Sequence, residues 1–383
     1  MTSSVTASAG QPSDVIDLLT PDNGPVELAR QLCNIPSESG QETRLANAIE
    51  QLLARRAPHL TVLRDGDAII ARTELGRDTR VLIAGHLDTV PINGLLPVVD
   101  AAHDQTGEAM LRGRGTVDMK SGVAVQLALA LNLVAPVFDI TWVWYDHEEV
   151  EEQRNGLGRL VRNHRDLFNA DLAVLGEPSN GCIELGCNGT ITVRATYRGR
   201  RSHTARAWKG VNSIHRAGRL LQFLHEYEPD RPAVDGLEFR EGMQAVRCSG
   251  GVAANVVPDL TEVDINFRFA PSRSVQEAEQ LLRNICFDAD DFEVLDVAAA
   301  SHPNRYSPAV AALIEKLGLP VRAKLGWTDV ARLSSLDIPS INFGPGVPSL
   351  AHTDYEEVSV AQIEQAWMLQ RAWLLGSPIT SMN

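Results

Sequence analysis

The sequence contains a histidine and an aspartate whose spacing fits a metal site. They occur in the run Gly85-His86-Leu87-Asp88, directly after the apolar stretch Val81–Ala84. On a β-strand, residues i and i+2 point to the same side. His86 can then bind a metal ion through one ring nitrogen, while Asp88 orients the other nitrogen and raises the basicity of the ring. The alternative is a surface His–Asp pair at the end of a strand.

Two adjacent glutamates form a second candidate site. Glu148 and Glu149 follow the apolar run Ile140–Tyr145. Carboxylates placed side by side at the end of a buried strand repel each other and are costly to remove from water, so a cation is expected to offset their charge. The alternative is a solvated acidic loop, because Glu151 and Glu152 come next in the chain.

Three further segments carry one candidate ligand each. Asp118 comes just before a predicted helix, Glu177 follows the apolar run Leu172–Leu175, and His352 precedes the last helical stretch. Taken singly, each fits an isolated polar residue, and Asp118 also fits a helix N-cap. Taken together, a histidine from each end of the chain with three or four carboxylates forms the ligand set of a two-metal hydrolase. The lack of cysteine in this set favours zinc, cobalt or manganese in a hydrolytic role.

The candidate segments are predicted to follow buried strands of one α/β sheet. Short apolar runs alternate with helical patterns, which indicates a sheet covered by helices on both faces. The predicted strands of this sheet are 61–63, 68–72, 81–84, 140–145, 172–175 and 339–343, and the predicted helices include 26–32, 42–53, 156–163, 308–316 and 360–375. Sheets of this kind build their sites at the carboxyl ends of the strands, so we expect the five segments to converge there.

The pattern changes between residues 189 and 298. Predicted strands at 190–197, 246–251, 260–269 and 292–297 and predicted helices at 211–225 and 275–285 follow in the order β-α-β-β-α-β. This order is typical of a ferredoxin-like α+β sandwich with one exposed sheet face. The sequence therefore predicts a discontinuous catalytic domain, residues 1–188 and 299–383, interrupted by an inserted α+β domain at 189–298.

The composition excludes several functional classes. The chain has 383 residues and a formal net charge of −14, which argues against non-specific binding to nucleic acid or to anionic membranes. The leader Met1–Asn23 has no basic residue, whereas a signal peptide or a mitochondrial transit peptide contains several. The most apolar stretch, Val123–Val137, is too short to span a bilayer. Five scattered cysteines favour reduced thiols and a cytoplasmic location.

Taken in order from His86 to His352, these segments resemble the co-catalytic zinc aminoacylases and carboxypeptidases, and the resemblance covers nearly the whole chain. It implies a zinc-exopeptidase-like catalytic domain with an inserted dimerisation or lid domain. It also implies two Zn2+ ions per subunit, which Co2+ can replace. By this resemblance His86 and Glu177 hold one metal, Glu149 and His352 hold the other, and Asp118 bridges the two. The peptide bond after Asp118 is expected to be cis.

The resemblance also implies the catalytic groups. Glu148 is the expected general base, and Asp88 is the residue expected to orient the first histidine ligand. His203, in the run Arg-Ser-His-Thr-Ala-Arg at 201–206, is the expected lid histidine that reaches the active site of the other subunit to stabilise an oxyanion. The implied assembly is thus a homodimer. The alternative for His203 is a surface histidine beside a helix.

Three motifs bear on the substrate, a small N-acyl amino acid. Gly-Cys-Asn-Gly at 186–189, the run at 201–206 and Trp-Thr-Asp-Val-Ala-Arg at 327–332 resemble an actinobacterial subgroup that hydrolyses N-succinyl-L,L-2,6-diaminopimelate in lysine biosynthesis. The resemblance implies four substrate contacts, which are Asn255, Arg268, Thr328 and Arg332. Arginine suits the carboxylates of this compound because its planar fork donates two parallel hydrogen bonds.

Two other functions stay open. N-acetylornithine deacetylases, other aminoacylases, dipeptidases and carboxypeptidases of the same family share the ligand set and differ only in the residues that face the substrate. A metal-binding scaffold without catalysis is the alternative from a different class. The presence of Glu148 beside Glu149 argues against a scaffold, because a protein that only binds metal has no need of a general base.

Overall fold

The computed structural model describes residues 18–103 and 105–379, so most of the leader Met1–Asn23 lies outside the described residues. Its largest element is an eight-stranded mixed sheet. In spatial order the strands are β1 (Thr61–Asp65), β2 (Ala68–Arg72), β6 (Asp139–Tyr145), β3 (Arg80–His86), β7 (Leu172–Pro178), β16 (Ser340–Gly344), β8 (Ile183–Leu185) and β15 (Val321–Ala323). Strands β6, β3, β7 and β16 are parallel, so their carboxyl ends meet at one edge.

Helices cover both faces of this sheet. The helices of the described chain are α1 (Gly24–Cys33), α2 (Thr43–Arg56), α3 (Lys120–Asn132), α4 (Gly156–Asn163), α5 (Ser213–Glu226), α6 (Val275–Ile285), α7 (Pro308–Leu317), α8 (Val330–Ser334) and α9 (Val360–Leu374). Alternate side chains of β3 enter two apolar cores. Val81 and Ile83 pack with residues of α1, α3 and α9, whereas Leu82 and Ala84 pack with residues of α4 and α8. The predicted α/β class is confirmed.

Helix α3 is buried along its whole length up to Leu131, which explains its nearly continuous apolar sequence. Its first turn packs against strand β7, because a Cβ on Gly122 would lie 2.1 Å from the carbonyl oxygen of Gly176. Only glycine allows so close an approach. This packing brings Asp118, just before α3, next to Glu177, just after Gly176.

A second sheet lies between residues 189 and 298. Its four antiparallel strands are, in spatial order, β12 (Gly242–Gly250), β13 (Leu260–Phe269), β9 (Gly189–Arg198) and β14 (Asp291–Ala298). Helices α5 and α6 pack against this sheet around a separate core that includes Val193, Leu220 and Ile265. The chain order β-α-β-β-α-β matches the predicted ferredoxin-like sandwich.

The sequence does not predict several short strands. Strands β4 (Val99–Ala102), β5 (Ala109–Arg112) and β17 (Glu357–Ser359) form a small antiparallel sheet, and β10 (Ala233–Val234) and β11 (Leu237–Glu238) form a hairpin. These strands are too short to show a period. Helix α5 begins at Ser213 rather than at Val211, because the side chain of Asn212 caps it.

Within residues 18–103 and 105–379, no helix has the length and apolar character needed to cross a membrane. The apolar stretch Val123–Val137 instead supplies most of helix α3 and the turn after it. The five cysteines are all unpaired.

Candidate active site

Four of the candidate residues lie at one edge of the large sheet. His86 is the last residue of β3, Glu177 lies near the end of β7, and Glu148 and Glu149 follow β6. Because these strands are parallel, their carboxyl ends meet at this edge, as predicted.

Asp118 and His352 reach the same place from loops. Asp118 lies between β5 and α3, so for this residue the prediction of a position after a strand of the large sheet is wrong. It is not the N-cap of α3 either, because Met119 occupies that position. The peptide bond between Asp118 and Met119 is cis, as predicted. His352 lies in the loop between β16 and β17, with its backbone in the left-handed region at φ 64°.

The structure brings the five predicted ligands and the predicted base together. Their potential ligand atoms lie within 4.8 Å of one another in three groups, which are His86 with Glu148 and Glu149, His86 with Asp118 and Glu177, and Asp118 with Glu149 and His352.

The carboxylate of Asp118 lies between the two histidines. Its Oδ1 is 3.0 Å from Nε2 of His86, and its Oδ2 is 3.4 Å from Nε2 of His352. Nε2 of His352 also lies 2.9 Å from Oε1 of Glu149. A carboxylate with one oxygen toward each half of a site has the arrangement of a bridging ligand in a two-metal centre.

The carboxylates of the site are crowded and poorly solvated. Burial raises the pKa of Glu148 well above its ordinary value. Burial and the nearby charge of Asp118 raise the pKa of Glu149, and they raise that of Glu177 to about 7. Oε1 of Glu177 is buried and has no hydrogen-bond partner within the described part of the chain. Because cations offset such repulsion and desolvation, this donor set fits divalent metal ions.

Both histidines hold protons strongly. Hydrogen bonds to Asp118 and Glu149 raise the pKa of His352 to about 10. Burial lowers the pKa of His86, but its interactions with Asp118 and Asp88 outweigh burial and raise this pKa well above its ordinary value. Since imidazole binds metal in its neutral form, protons and metal ions compete for these two rings.

Asp88 contacts His86 through both its main chain and its side chain. Nδ1 of His86 lies 3.0 Å from the carbonyl oxygen of Asp88 and 3.6 Å from its Oδ1. Burial would raise the pKa of Asp88, but the contact with His86 and hydrogen bonds from the backbone lower it to about 2. Asp88 is therefore ionised at neutral pH, which favours a fixed orientation of the histidine ring.

Sequence reasoning missed three residues that hold the ligand loops. Oε1 of the buried Glu356 accepts a hydrogen bond from the backbone N–H of Asp118 at 3.2 Å, and its Oε2 pairs with Arg114 at 2.6 Å. The hydroxyl of Ser39 donates to Asp88 at 2.7 Å. Each contact joins segments that are distant in the chain, so no local pattern in the sequence signals it.

Two predicted substrate contacts lie on or just before helix α8. Thr328 is buried, and its hydroxyl donates to Oδ1 of Asn342 at 3.0 Å. Arg332 donates from three nitrogens to the carboxylates of Asp329 and Glu152. A role of either residue in substrate binding stays a prediction.

Asn255, Arg268 and His203 are exposed residues of the inserted sheet and its loops. The backbone N–H of Thr204 donates to the carbonyl oxygen of Asn255 at 3.1 Å, so the loops of His203 and Asn255 are adjacent. Nδ1 of His203 accepts a hydrogen bond from the N–H of Ala205 at 3.0 Å, which places the proton of the neutral ring on Nε2. Nε2 is then a donor of the kind that an oxyanion requires, and it has no hydrogen-bond partner among the residues that the structure describes.

Comparison with known proteins agrees with this site. The model of peptidase family M20/M25/M40 matches residues 82–375, a range that contains all five predicted ligands. The chain belongs to this family. The family resemblance predicted from the motifs is therefore confirmed.

Two relatives in the family match the chain over nearly its full length. The protein provisionally named succinyl-diaminopimelate desuccinylase DapE in Mycobacterium tuberculosis is 47% identical over 354 residues, which are 92% of this chain and 98% of the relative. Succinyl-diaminopimelate desuccinylase of Corynebacterium glutamicum is 39% identical over 368 residues, 94% of this chain and 97% of the relative.

Solved structures of the family share the fold. The M20 metallo-carboxypeptidase Sso-CP2 of Sulfolobus solfataricus superimposes with a TM-score of 0.72 at 14% identity, covering 91% of this chain and 98% of its own. YXEP of Bacillus subtilis, a dinuclear metal-binding peptidase of the M20 family, gives a TM-score of 0.62 at 15% identity. The match covers 92% of this chain and 98% of YXEP.

Proposed function

We propose that this chain hydrolyses N-succinyl-L,L-2,6-diaminopimelate to succinate and L,L-2,6-diaminopimelate, a step of lysine biosynthesis. The observation that carries the reaction class is the position of Asp118 between His86 and His352, with the half-buried Glu148 beside them. Support for the substrate comes from the relative with 39% identity that is named for this reaction.

In this proposal the site holds two Zn2+ ions, for which Co2+ can substitute. His86 and Glu177 would hold one ion, Glu149 and His352 the other, and Asp118 both. The crowded carboxylates and the unpartnered Oε1 of Glu177 support this assignment. Such ions, when bound, acidify water and polarise a carbonyl oxygen.

Glu148 is the proposed general base. It accepts a proton from the water that attacks the succinyl carbonyl carbon, and it then donates this proton to the amine nitrogen as the C–N bond breaks. The products are a free carboxylate and a free amine. Burial supports this role, because it raises the pKa of Glu148 and so favours uptake of a proton by its carboxylate.

The proposal includes a homodimer in which His203 acts on the active site of the partner subunit. Its Nε2 would donate to the oxygen that becomes negative as water attacks. Asn255, Arg268 and Thr328 are the proposed substrate contacts. The resemblance implies Arg332 as a fourth, but its guanidinium is engaged by Glu152 and Asp329. The proposal also includes domain boundaries at 188/189 and 298/299 and a cytoplasmic location, which the unpaired cysteines favour.

A side-by-side assay tests the substrate. The purified zinc-loaded protein is given N-succinyl-L,L-2,6-diaminopimelate, N-acetylornithine or a dipeptide, and amine release is measured. We expect kcat/KM for the succinyl compound to exceed the others by about 100-fold or more, because a site built for several carboxylates leaves polar groups unpaired with smaller substrates. The variant Glu148→Gln is the matched control for background hydrolysis.

Two results would contradict the proposal in different ways. Hydrolysis of N-acetylornithine or of the dipeptide without hydrolysis of the succinyl compound would assign a sibling activity of the same family. Binding of metal without hydrolysis of any of the three amides would favour a scaffold.

A further inference from the structure

Arg332 makes an unusually complete set of contacts with two carboxylates. Its Nη1 and Nη2 donate to the two oxygens of Glu152 at 2.8 and 2.6 Å, and its Nε donates to Oδ1 of Asp329 at 2.8 Å. Its side chain is only 12% exposed. A parallel two-bond contact of this kind fixes both distance and orientation.

The partner Glu152 belongs to the segment that carries the catalytic groups. This segment, residues 146–155, connects β6 to α4 and contains Glu148 and Glu149. At its front end, the backbone N–H groups of these two glutamates donate to the carboxylate of Asp88. At its rear end, Glu152 contacts Arg332 and Asn155 contacts Asp329.

The rear end of the segment is held twice. Besides the pair of Arg332 with Glu152, the side-chain amide of Asn155 donates to Oδ2 of Asp329 at 2.9 Å. Asp329 is fully buried, and Asn155 caps helix α4 by accepting the N–H of Gly158 at 3.0 Å. Asp329 and Arg332 thus hold both the turn that contains Glu152 and the start of α4.

Glycine at position 158 leaves room for this contact. A Cβ at Gly158 would lie 2.7 Å from Nη1 of Arg332 and 3.1 Å from its Cζ. The guanidinium group therefore packs directly on the backbone of α4. Any larger side chain at position 158 must displace it, although an alanine there suits a helix better than glycine does.

We propose that Arg332 and Asp329 are positioning residues that hold the 146–155 segment, and with it Glu148, at the distance that catalysis needs. This inference rests on the proposed function of Glu148. It gives Arg332 a task different from the substrate contact implied by the family resemblance. Displacing a general base by about 1 Å can lower turnover by about 100-fold, so the contact bears directly on kcat.

Kinetics of four variants test the proposal. We expect Arg332→Ala and Glu152→Ala each to lower kcat about 10- to 100-fold while KM changes less than about threefold. The double variant should be no worse than the poorer single one, because both changes break the same contact. Arg332→Lys should recover part of the loss, since lysine keeps the charge without the fork.

Arg154→Ala is the matched control. Arg154 lies in the same short turn as Glu152, but its pair with Glu151 is exposed and 3.6 Å long, so we expect wild-type kcat and KM. Metal content and thermal unfolding of every variant are measured to separate positioning from loss of metal or of fold.

Gly158→Ala provides a variant that keeps every charged group. We expect it to lower kcat in the same way as Arg332→Ala while the protein stays folded. Hydrogen exchange of the metal-free protein supplies a readout independent of activity. Amides of residues 146–155 should exchange about tenfold faster in both variants than in the wild type, and those of β7 should not change.

The opposite pattern would overturn the proposal. If Arg332 binds substrate, Arg332→Ala raises KM, whereas Glu152→Ala and Gly158→Ala leave kcat and exchange at wild-type values. All rates are taken as ratios to the wild type on whichever amide it hydrolyses best. A wrong substrate therefore refutes the proposed function without affecting this test, and exchange reports on positioning even if no amide is hydrolysed.

Discussion

The carboxylate of Asp88 accepts hydrogen bonds from the backbone N–H groups of Glu148 at 2.9 Å and of Glu149 at 3.0 Å. The ring of His86 lies 3.0 Å from the carbonyl oxygen of Asp88 and 3.6 Å from its Oδ1, so this one residue contacts the proposed base and two proposed ligands. It does so through the backbone, so the side chains of the two glutamates stay available for chemistry. This explains why an ionised, fully buried aspartate lies beneath the site.

Replacing Asp88 should therefore impair both catalysis and metal binding. We expect Asp88→Ala to lower kcat about 100-fold and to weaken metal binding by 10- to 100-fold, because outer contacts of this kind set ligand geometry. Asp88→Asn should retain more activity, since its amide oxygen still accepts one backbone N–H. Steady-state kinetics and metal titration measure the two effects.

Ser39→Ala is the control for this prediction. It removes one donor to Asp88 but leaves the carboxylate and its acceptor role intact. We expect a loss in kcat of no more than about tenfold. A wild-type kcat for Asp88→Ala would show that the hydrogen bonds of Asp88 are not needed to position the 146–155 segment.

Local patterns in the sequence predict several elements of secondary structure at their observed bounds. Helix α6 begins and ends where it is predicted, because Ser274 and Glu277 form a capping box at its start. Strand β13 is also predicted at its observed bounds, because polar and apolar residues alternate over eight positions from Glu262 to Phe269. Helix α3 has no amphipathic face, but the length and apolar character of its sequence are enough to predict a buried helix.

Contacts between segments that are distant in the chain cannot be predicted from local patterns in the sequence. The pair of Arg332 with Glu152 spans 180 residues, and the buried Glu356 reaches the loop of Asp118 from the far end of the chain. In the sequence, Glu152 and Glu356 are members of ordinary acidic runs. Only the folded chain distinguishes a carboxylate that holds a distant segment from a solvated one, because such contacts depend on tertiary packing.

The two adjacent glutamates should respond differently to the same change. Glu148→Gln removes the proposed base, so we expect kcat to fall by about 10²- to 10⁴-fold with metal content unchanged. Glu149→Gln removes a proposed ligand, so we expect metal content to fall as well. Elemental analysis beside steady-state kinetics distinguishes the two. Equal loss of metal in both variants would contradict the separate roles.

Metal binding should release protons and become tighter as pH rises. The pKa of His352 is raised to about 10 and that of Glu177 to about 7, so at pH 7 the metal-free site holds protons that ligation must displace. We expect the release of about one proton or more per chain when Zn2+ is added. The apparent affinity for Zn2+ should fall about tenfold per pH unit for each released proton as the pH is lowered from 8 to 6.

A pH indicator in weak buffer measures that release, and His352→Ala is its control. The variant lacks a histidine whose pKa is raised to about 10, so it should release fewer protons. A metal affinity independent of pH between 6 and 8 would contradict the predicted competition.

His203 should act across the subunit interface. Its Nδ1 is engaged by the backbone N–H of Ala205, which leaves Nε2 as donor, and we expect His203→Ala to lower kcat about 10²- to 10³-fold. Mixing His203→Ala chains with Glu148→Gln chains forms dimers in which one active site combines an intact Glu148 with an intact His203. Because random exchange makes half of the dimers mixed, activity should recover to about a quarter of the wild-type value. If His203 serves the active site of its own chain, every site in the mixture lacks one group and the mixture stays inactive.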